Sequence, residues 1–322
     1  MSWLVTGGAG YIGSHVLRSL IQASMDPIVV DSMASGVRGF VPPEIPFYSV
    51  NVLNTEKLTE IMKRHEVTGV IHLGGYKYAG ESVKNPLLTF EQNVTGTANL
   101  LQAMADARVE NIVFSSSAAV YGTPSVDLVT EETGTSPGSS YGQSKVIGEW
   151  LIRDQAVAAG LKHTSLRYFN VVGSGSEELF DASPHNLFPL VFKALNEGKT
   201  PKIFGTDYNT ADGTCVRDYV HVVDLALAHV EAAKKLETGT ELEPVYNLGS
   251  GDGVSVREIM DAVRKVTGIE FTAVEEARRP GDPDRIVADG KLAARDLGWQ
   301  MRHSLDEMVD SAWKASCRQA SS

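Results

Sequence analysis

Gly7, Gly10 and Gly13 recur at every third position in Thr-Gly-Gly-Ala-Gly-Tyr-Ile-Gly, residues 6–13. Glycines at that spacing let a backbone approach a diphosphate closely. The pattern has this meaning where it leaves a strand and opens a helix, whose N-terminus adds unshared N–H groups and the positive end of its dipole. Eighteen residues past Gly13, at the end of the next apolar run, stands Asp31. A carboxylate there accepts from both hydroxyls of a ribose and repels a 2′-phosphate, so NAD is favoured over NADP. A glycine run alone is weak, because any tight turn uses one.

Tyr141 and Lys145 stand four apart in Tyr-Gly-Gln-Ser-Lys, so on a helix they share a face. A free tyrosine, with a pKa of about 10, is a poor base at neutral pH. A nearby ammonium, with the positive nicotinamide ring, would favour the phenolate and lower that value. Ser117 lies in Phe-Ser-Ser-Ser-Ala-Ala-Val-Tyr-Gly, residues 114–122. Its hydroxyl can donate to a developing oxyanion or share the proton with Tyr141. Ser115 and Ser116 read equally well as a plain serine-rich turn.

These groups need a scaffold, and the first half of the chain supplies an alternation. Strands are predicted at Trp3–Thr6, Pro27–Val30, Phe47–Val50, Gly69–His72, Ile112–Phe114 and His163–Arg167. Helices are predicted from the glycine loop to about Ala23, from Thr55 as N-cap, over Val94–Ala105, and from near Ser140. Such alternation means an α/β fold, a doubly wound parallel sheet with helices on both faces. Ser117 then follows a strand's carboxyl end, where ligands of such sheets sit. After about Asn170 the pattern changes. Gly173–Pro184 reads as a loop. Helices follow over Leu187–Asn196, Val222–Leu236, Val256–Val266 and Leu305–Trp313, with a strand at Val245–Leu248. Residues 1–170 are expected to bind the dinucleotide and 171–322 to form a smaller α/β substrate lobe that re-enters the first, so the boundary is soft.

The 322 residues carry a net charge of -11, which argues against nucleic acid or an anionic membrane as partner. With 43% hydrophobic residues there is ample material for a core. No segment approaches the roughly 20 apolar residues of a membrane span. Two cysteines, Cys215 and Cys317, fit a reducing compartment, and a cytoplasmic location is expected. Eight scattered histidines, His185 and His221 among them, show no ligand spacing, so no metal is expected.

The glycine loop, Asp31, Ser117 and the Tyr141/Lys145 pair, in this order, resemble the signature of the extended short-chain dehydrogenase/reductases. The resemblance is closest to the UDP-glucose 4-epimerase family. It runs through residues 5–15, Gly-Glu-Ser-Val at 80–83, residues 114–122, Leu-Arg-Tyr-Phe-Asn at 166–170, residues 203–208, 212–222, 246–249 and 278–289. It implies a 4-epimerase of UDP-glucose and UDP-galactose with tightly held NAD, and a homodimer formed by helices near 90–105 and 140–158. Leu100, Leu101, Met104, Ile147, Trp150 and Leu151 suit that pairing, or packing on the sheet. By resemblance Gly7, Gly10, Tyr11, Ile12 and Gly13 wrap the pyrophosphate and Asp31 holds the adenosine ribose. Asn51, Val52, Leu73, Gly75, Lys77, Asn93, Ser115, Tyr141, Lys145 and Tyr168 complete the cofactor site. Lys77, Ser117, Tyr141, Asn170, Asn186, Leu187, Phe204, Arg217, Arg279, Asp282 and Ile286 would bind UDP-hexose. Two arginines suit a diphosphate, since each presents a planar fork of donors.

Departures from the family pattern bear on function. Asn51-Val52 stand where Asp-Ile commonly bracket adenine. The loop after Asn170 is short. Ile286 occupies the position of the hexose gate, where a tyrosine is associated with excluding N-acetylated sugars. Cys215 replaces a small residue and reads as packing. A sugar-nucleotide dehydratase would need Asp-Glu after the serine to eliminate water, and here stand Ala118 and Ala119, which move no proton. A 4-epimerase acting mainly on UDP-GlcNAc and UDP-GalNAc, an epimerase or decarboxylase acting on a UDP-uronic acid, and a catalytically silent NAD-binding protein remain as other readings.

Overall fold

The computed structural model describes residues 1–279 and 282–321. Pro280 and Gly281, within the matching run 278–289, lie outside the described residues. Seven strands form one parallel sheet: β1 (Ser2–Thr6), β2 (Asp26–Asp31), β3 (Phe47–Ser49), β4 (Val67–His72), β5 (Asn111–Ser115), β6 (Lys162–Tyr168) and β7 (Val245–Leu248). Their order across the sheet is β7-β6-β5-β4-β1-β2-β3. The order reverses between β1 and β4, so the ends of those two strands open the crevice in which such sheets bind nucleotides.

Alternation of side chains along the strands builds two apolar layers. Trp3, Val5, Val29, Ile71 and Val113 face one side. There they meet Val16, Leu17 and Leu20 of the glycine helix (Tyr11–Gln22) and the alanine-rich face of the helix Val222–Glu237. Leu4, Ile28, Val30, Val70 and Ile112 face the other side, against Leu58, Ile61, Met62, Leu100 and Met104. Gly69 is required by this packing: a Cβ there would lie 2.5 Å from the ring of the fully buried Trp3.

Outside the large sheet lies a smaller lobe. It holds a four-stranded sheet ordered Val254–Ser255, Val216–Arg217, Arg285–Ala288 and Leu128–Val129, the last of these from the first half of the chain. It also holds two short pairs, Asn170–Val172 with Tyr219–His221 and Lys202–Phe204 with Val274–Glu276. β7, which follows most of these strands in the chain, hydrogen-bonds along β6 at the edge of the large sheet. No helix among the described residues is long and apolar enough to cross a membrane.

Several boundaries differ from the sequence expectation. The N-cap of the second long helix is Asn54, whose side chain accepts from Lys57 N, and Thr55 is the first helical residue. The helix expected over Val94–Ala105 is split into a π-wound turn, Glu91–Thr95, and an α-helix, Gly96–Ala107. The last helix runs to Ser321. Leu100, Leu101 and Met104 are buried in the sheet-facing layer, so they are unavailable to a partner.

Candidate active site

The glycine loop leaves β1 and enters the glycine helix at Gly10, which acts as N-cap. No side chain caps this helix, and its first turn carries no acidic residue. Its N-terminus is thus an anion site in waiting. Gly7 has φ +72, which favours glycine, and a Cβ on Gly13 would collide with the Gly7 carbonyl oxygen. Asp31 ends β2 and accepts from Ala9 N at 3.0 Å and Met33 N at 2.8 Å. One lone pair on each oxygen is so engaged, and the others are left for ribose hydroxyls. This cradle fits a dinucleotide.

The catalytic helix, Ser140–Ala159, is capped by Ser139, whose side chain accepts from Gly142 N. Gly142 is needed at the approach to the Ser117 segment, since a Cβ there would lie 2.5 Å from Ala119 O. The approach brings Tyr141 into hydrogen-bond contact with Ser117. Lys145 is buried and its Nζ donates to Ser115 O at 2.7 Å, 5.7 Å from the centroid of the Tyr141 ring. Burial pushes the Tyr141 phenol above its ordinary value and the bond to Ser117 pulls it down. The sequence expectation of a lowered value counted the ammonium and the positive nicotinamide ring together, and the protein's own groups supply only part of that charge. The Lys145 proton is directed at a carbonyl, and desolvation wins within the protein's own groups. The same burial brings Lys145 from 10.5 down to about 8, against the raising influence of Glu149.

The remaining expected cofactor residues are placed unequally. Ser115 Oγ and His229 Nε2 are 2.8 Å apart, and Tyr168 bonds to Ser115. Gly75 has φ +150, and a Cβ there would lie 2.6 Å from Asn93 Oδ1. Leu73 packs beside the β1 layer, and Lys77 extends into solvent with its Nζ 5.5 Å from the Tyr78 ring centroid. Val52 is buried against Gly96. Asn51 and Asn93 have their side-chain amides engaged within the protein. Asn51 Nδ2 donates to Gln92 and its Oδ1 accepts from Leu53 N. Asn93, 5% exposed, spends both Nδ2 hydrogens on Tyr76 O and Ser144 Oγ and accepts from Tyr76 N. Tyr11 Oη is likewise committed, to Gly173 O at 2.5 Å, so what it offers a pyrophosphate is backbone.

In the smaller lobe two groups form. Arg217 Nη2 lies 3.8 Å from Asp282, and the backbone of Arg217 pairs with Ile286. The Arg279 guanidinium stacks 4.3 Å over the Phe204 ring. Ile286 is buried in a cluster with Val120, Tyr121, Val129 and Val146, at the join between this lobe and the catalytic helix. Asn170 donates to Asp218 O and Asn186 to Asp181 Oδ2, while Leu187 begins a helix on the lobe's core. Cys215 is buried in that core, in keeping with packing.

Sequence reasoning passed over several supports. Asp218 is fully buried and accepts from Ser250 N, Ser250 Oγ and Ala288 N, fixing the strand that carries Arg217. Glu149 and Arg167 form a buried ion pair at 2.6 Å, with Ser116 Oγ donating to Glu149 at 2.5 Å. Glu149, one turn after Lys145, was the available clue. His72 and Thr97 carried no motif.

A family model described as "NAD dependent epimerase/dehydratase family" matches residues 3–249. The chain belongs to this NAD dependent epimerase/dehydratase family. A curated relative, the UDP-glucose 4-epimerase of Lactobacillus helveticus, is 42% identical, with 98% of this chain and 96% of that one covered. The crystal structure of UDP-glucose 4-epimerase from Brucella ovis in complex with NAD superposes with a TM-score of 0.93 at 38% identity, covering 97% of each chain. The UDP-Glc/GlcNAc 4-epimerase of Campylobacter jejuni gives 0.85 at 32% identity, covering 98% of this chain and 99% of that one. Within the epimerase/dehydratase family, Ala118 and Ala119 mark this chain as lacking the acid/base pair of the dehydratases.

The depressed Lys145 has a consequence for stability. Its charged form is penalised in the fold, fully so below pH 8, and the penalty vanishes above 10.5, where the unfolded side chain is neutral too. Lys145→Met should therefore abolish turnover yet unfold at higher urea than the parent at pH 7, in cofactor-free protein. That gain should shrink between pH 8 and 10.5.

Proposed function

We infer that the protein is an NAD-dependent UDP-glucose 4-epimerase. The observation that carries this is the joining of Ser117, Tyr141 and Lys145 at the end of β5, beside a glycine cradle closed by Asp31 and across from a lobe with two arginines. Full-length relatives carrying that name agree with it.

NAD, when bound by the glycine loop and Asp31, supplies the acceptor and donor of hydride. Tyr141 removes the proton of the sugar 4-hydroxyl. Ser117, bonded to Tyr141, polarises the same oxygen and shortens the proton's path. Lys145 holds positive charge beside the phenol and stays fixed by Ser115 O. The positive nicotinamide ring is the further charge that favours the phenolate where burial disfavours it. Arg217 and Arg279 hold the diphosphate, so the hexose is free to turn its other face while UDP stays in place. Inversion at C4 through a 4-keto sugar needs that division between tight nucleotide and loose sugar. There is no net redox, so the cofactor has no reason to leave.

A homodimer is supported by apolar side chains left in the open on the elements around the catalytic helix: Trp150 at 50% exposure, Leu87 at 84% and Val157 at 86%. A cytoplasmic site follows from the cofactor and the nucleotide sugar. Ile286 sets the sugar: it is smaller than a tyrosine, at the junction of lobe and catalytic helix.

Tyr141→Phe should retain NAD after gel filtration and lose at least about 1,000-fold in conversion of UDP-galactose, read by chromatography without added cofactor. Near-normal turnover in that variant rejects the assignment. Ile286→Tyr should lower the rate with UDP-N-acetylgalactosamine about tenfold more than with UDP-galactose. Equal effects on both would remove Ile286 from the gate.

A further inference from the structure

A file of hydrogen-bonding groups runs through the interior from the cofactor strand to the catalytic helix. Gly74 N donates to Thr6 Oγ1 at 3.0 Å, and Thr6 Oγ1 lies 2.7 Å from His72 Nδ1. His72 Nε2 lies 3.1 Å from Thr97 Oγ1, which donates to Asn93 O at 2.6 Å. Asn93 Nδ2 donates to Ser144 Oγ at 2.8 Å, and Ser144 Oγ donates to Tyr141 O at 2.7 Å. Thr6, His72, Asn93, Thr97 and Ser144 are all buried.

The hydrogens can be counted, and the count fixes the direction. The single hydroxyl hydrogen of Thr97 goes to Asn93 O, so toward His72 its oxygen accepts. Nε2 of His72 therefore carries the proton, and Nδ1 accepts from the Thr6 hydroxyl. The Thr6 oxygen is then free to take the Gly74 N–H. An imidazolium would set a second N–H against Thr6 and leave its hydroxyl hydrogen without a bond in the interior. Burial, and behind it the charge of Lys145, bring His72 down to about 3, so the file stays neutral and one-directional.

The element that carries Asn93 is the π-wound turn Glu91–Thr95, a local underwinding of the kind found at functional sites. It is what lets the Asn93 side chain reach Tyr76 and Ser144 together. Neither Thr6, His72, Thr97 nor Ser144 lies among the residues that hold cofactor or sugar.

We propose that His72 is a positioning residue of the epimerase, fixing through Thr97, Asn93 and Ser144 the distance between the cofactor strand and the Tyr141 phenol. The proposal builds on the reaction assigned above. Its mechanical content is simple. β1 carries the glycine loop, the catalytic helix carries Tyr141, and this file is a buried, hydrogen-bonded strut between them.

The test compares Thr97→Val, Thr97→Ser and Ser144→Ala in the NAD-bound protein. Valine keeps the shape of threonine and removes the acceptor of the imidazole N–H. Serine gives the acceptor back. Alanine at 144 is a good helix former and cuts the last link. The Tyr141 phenolate is read from ultraviolet absorbance, as parent minus the same protein with Tyr141→Phe, and kcat and KM are read with UDP-galactose. Loss of the strut lets the phenol drift from Ser117 and Lys145, so its titration should move up by about half to one pH unit. kcat should fall about tenfold, with KM changed less than about twofold. Thr97→Ser should restore both. A lower melting temperature with the phenol titration and kcat unmoved in Thr97→Val and Ser144→Ala would overturn the proposal and leave the file a matter of stability. The titration needs no substrate, so it decides the positioning role even where failure of the parent on UDP-galactose had overturned the reaction itself.

Discussion

The ammonium of Lys145 is held inside the protein on the Ser115 carbonyl, between the rings of Phe114 and Tyr141, and much of the fold serves to keep it so. Ser115 O takes its proton at 2.7 Å. The nearest carboxylate on its own helix, Glu149, is bound elsewhere. Arg167 grips both Glu149 oxygens, at 2.9 and 2.6 Å, and Ser116 donates to one of them. A carboxylate so occupied cannot collapse onto Lys145 and cancel its charge. A lysine in that state is destabilised where it stands, and its field reaches the phenol one turn away. Buried charges of this kind are poor for stability and are found where chemistry needs them.

Two further constraints follow from that arrangement. The catalytic helix must lie close enough to β5 for Lys145 to reach Ser115 O, and Gly142 and Gly148 allow it. A Cβ at Gly148 would sit 2.8 Å from the Phe114 ring. The lobe must also meet this helix, and Ile286 makes the meeting, packed with Val146 while its backbone pairs with Arg217. The two arginines proposed to grip the nucleotide belong to the lobe that Ile286 joins to the catalytic helix, and the proposed reading leaves the hexose loosely held. That asymmetry is what inversion at a single carbon requires of a site.

Much of this was legible in the sequence. Strand–helix alternation with the glycine run gave the doubly wound sheet, because hydrophobic period and turn residues are local properties. The Tyr141/Lys145 pair and Ser117 were legible because their spacing and place after a strand are local too. What the sequence withheld was non-local. The most distant partners of Asn51 and Asn93, Gln92 and Ser144, lie 41 and 51 residues away, and no motif near either residue announces that its amide is already engaged. Asp218, next to Arg217, looks like any acid until Ser250 and Ala288 close over it. The burial of Leu100 and Met104 against the sheet was one of two readings that their spacing allowed. The sign of the Tyr141 shift within the protein's own groups needed the burial of the phenol, which no pattern of residues specifies.

The central claim is that hydrogen leaves C4 of the sugar as hydride and returns to the same carbon inside a site that keeps its cofactor. The direct measurement is conversion of UDP-galactose carrying deuterium at C4, with no cofactor added and the product read by mass spectrometry and NMR. The account predicts UDP-glucose with deuterium retained at C4. Deuterium lost to water, or found at another carbon, would contradict it.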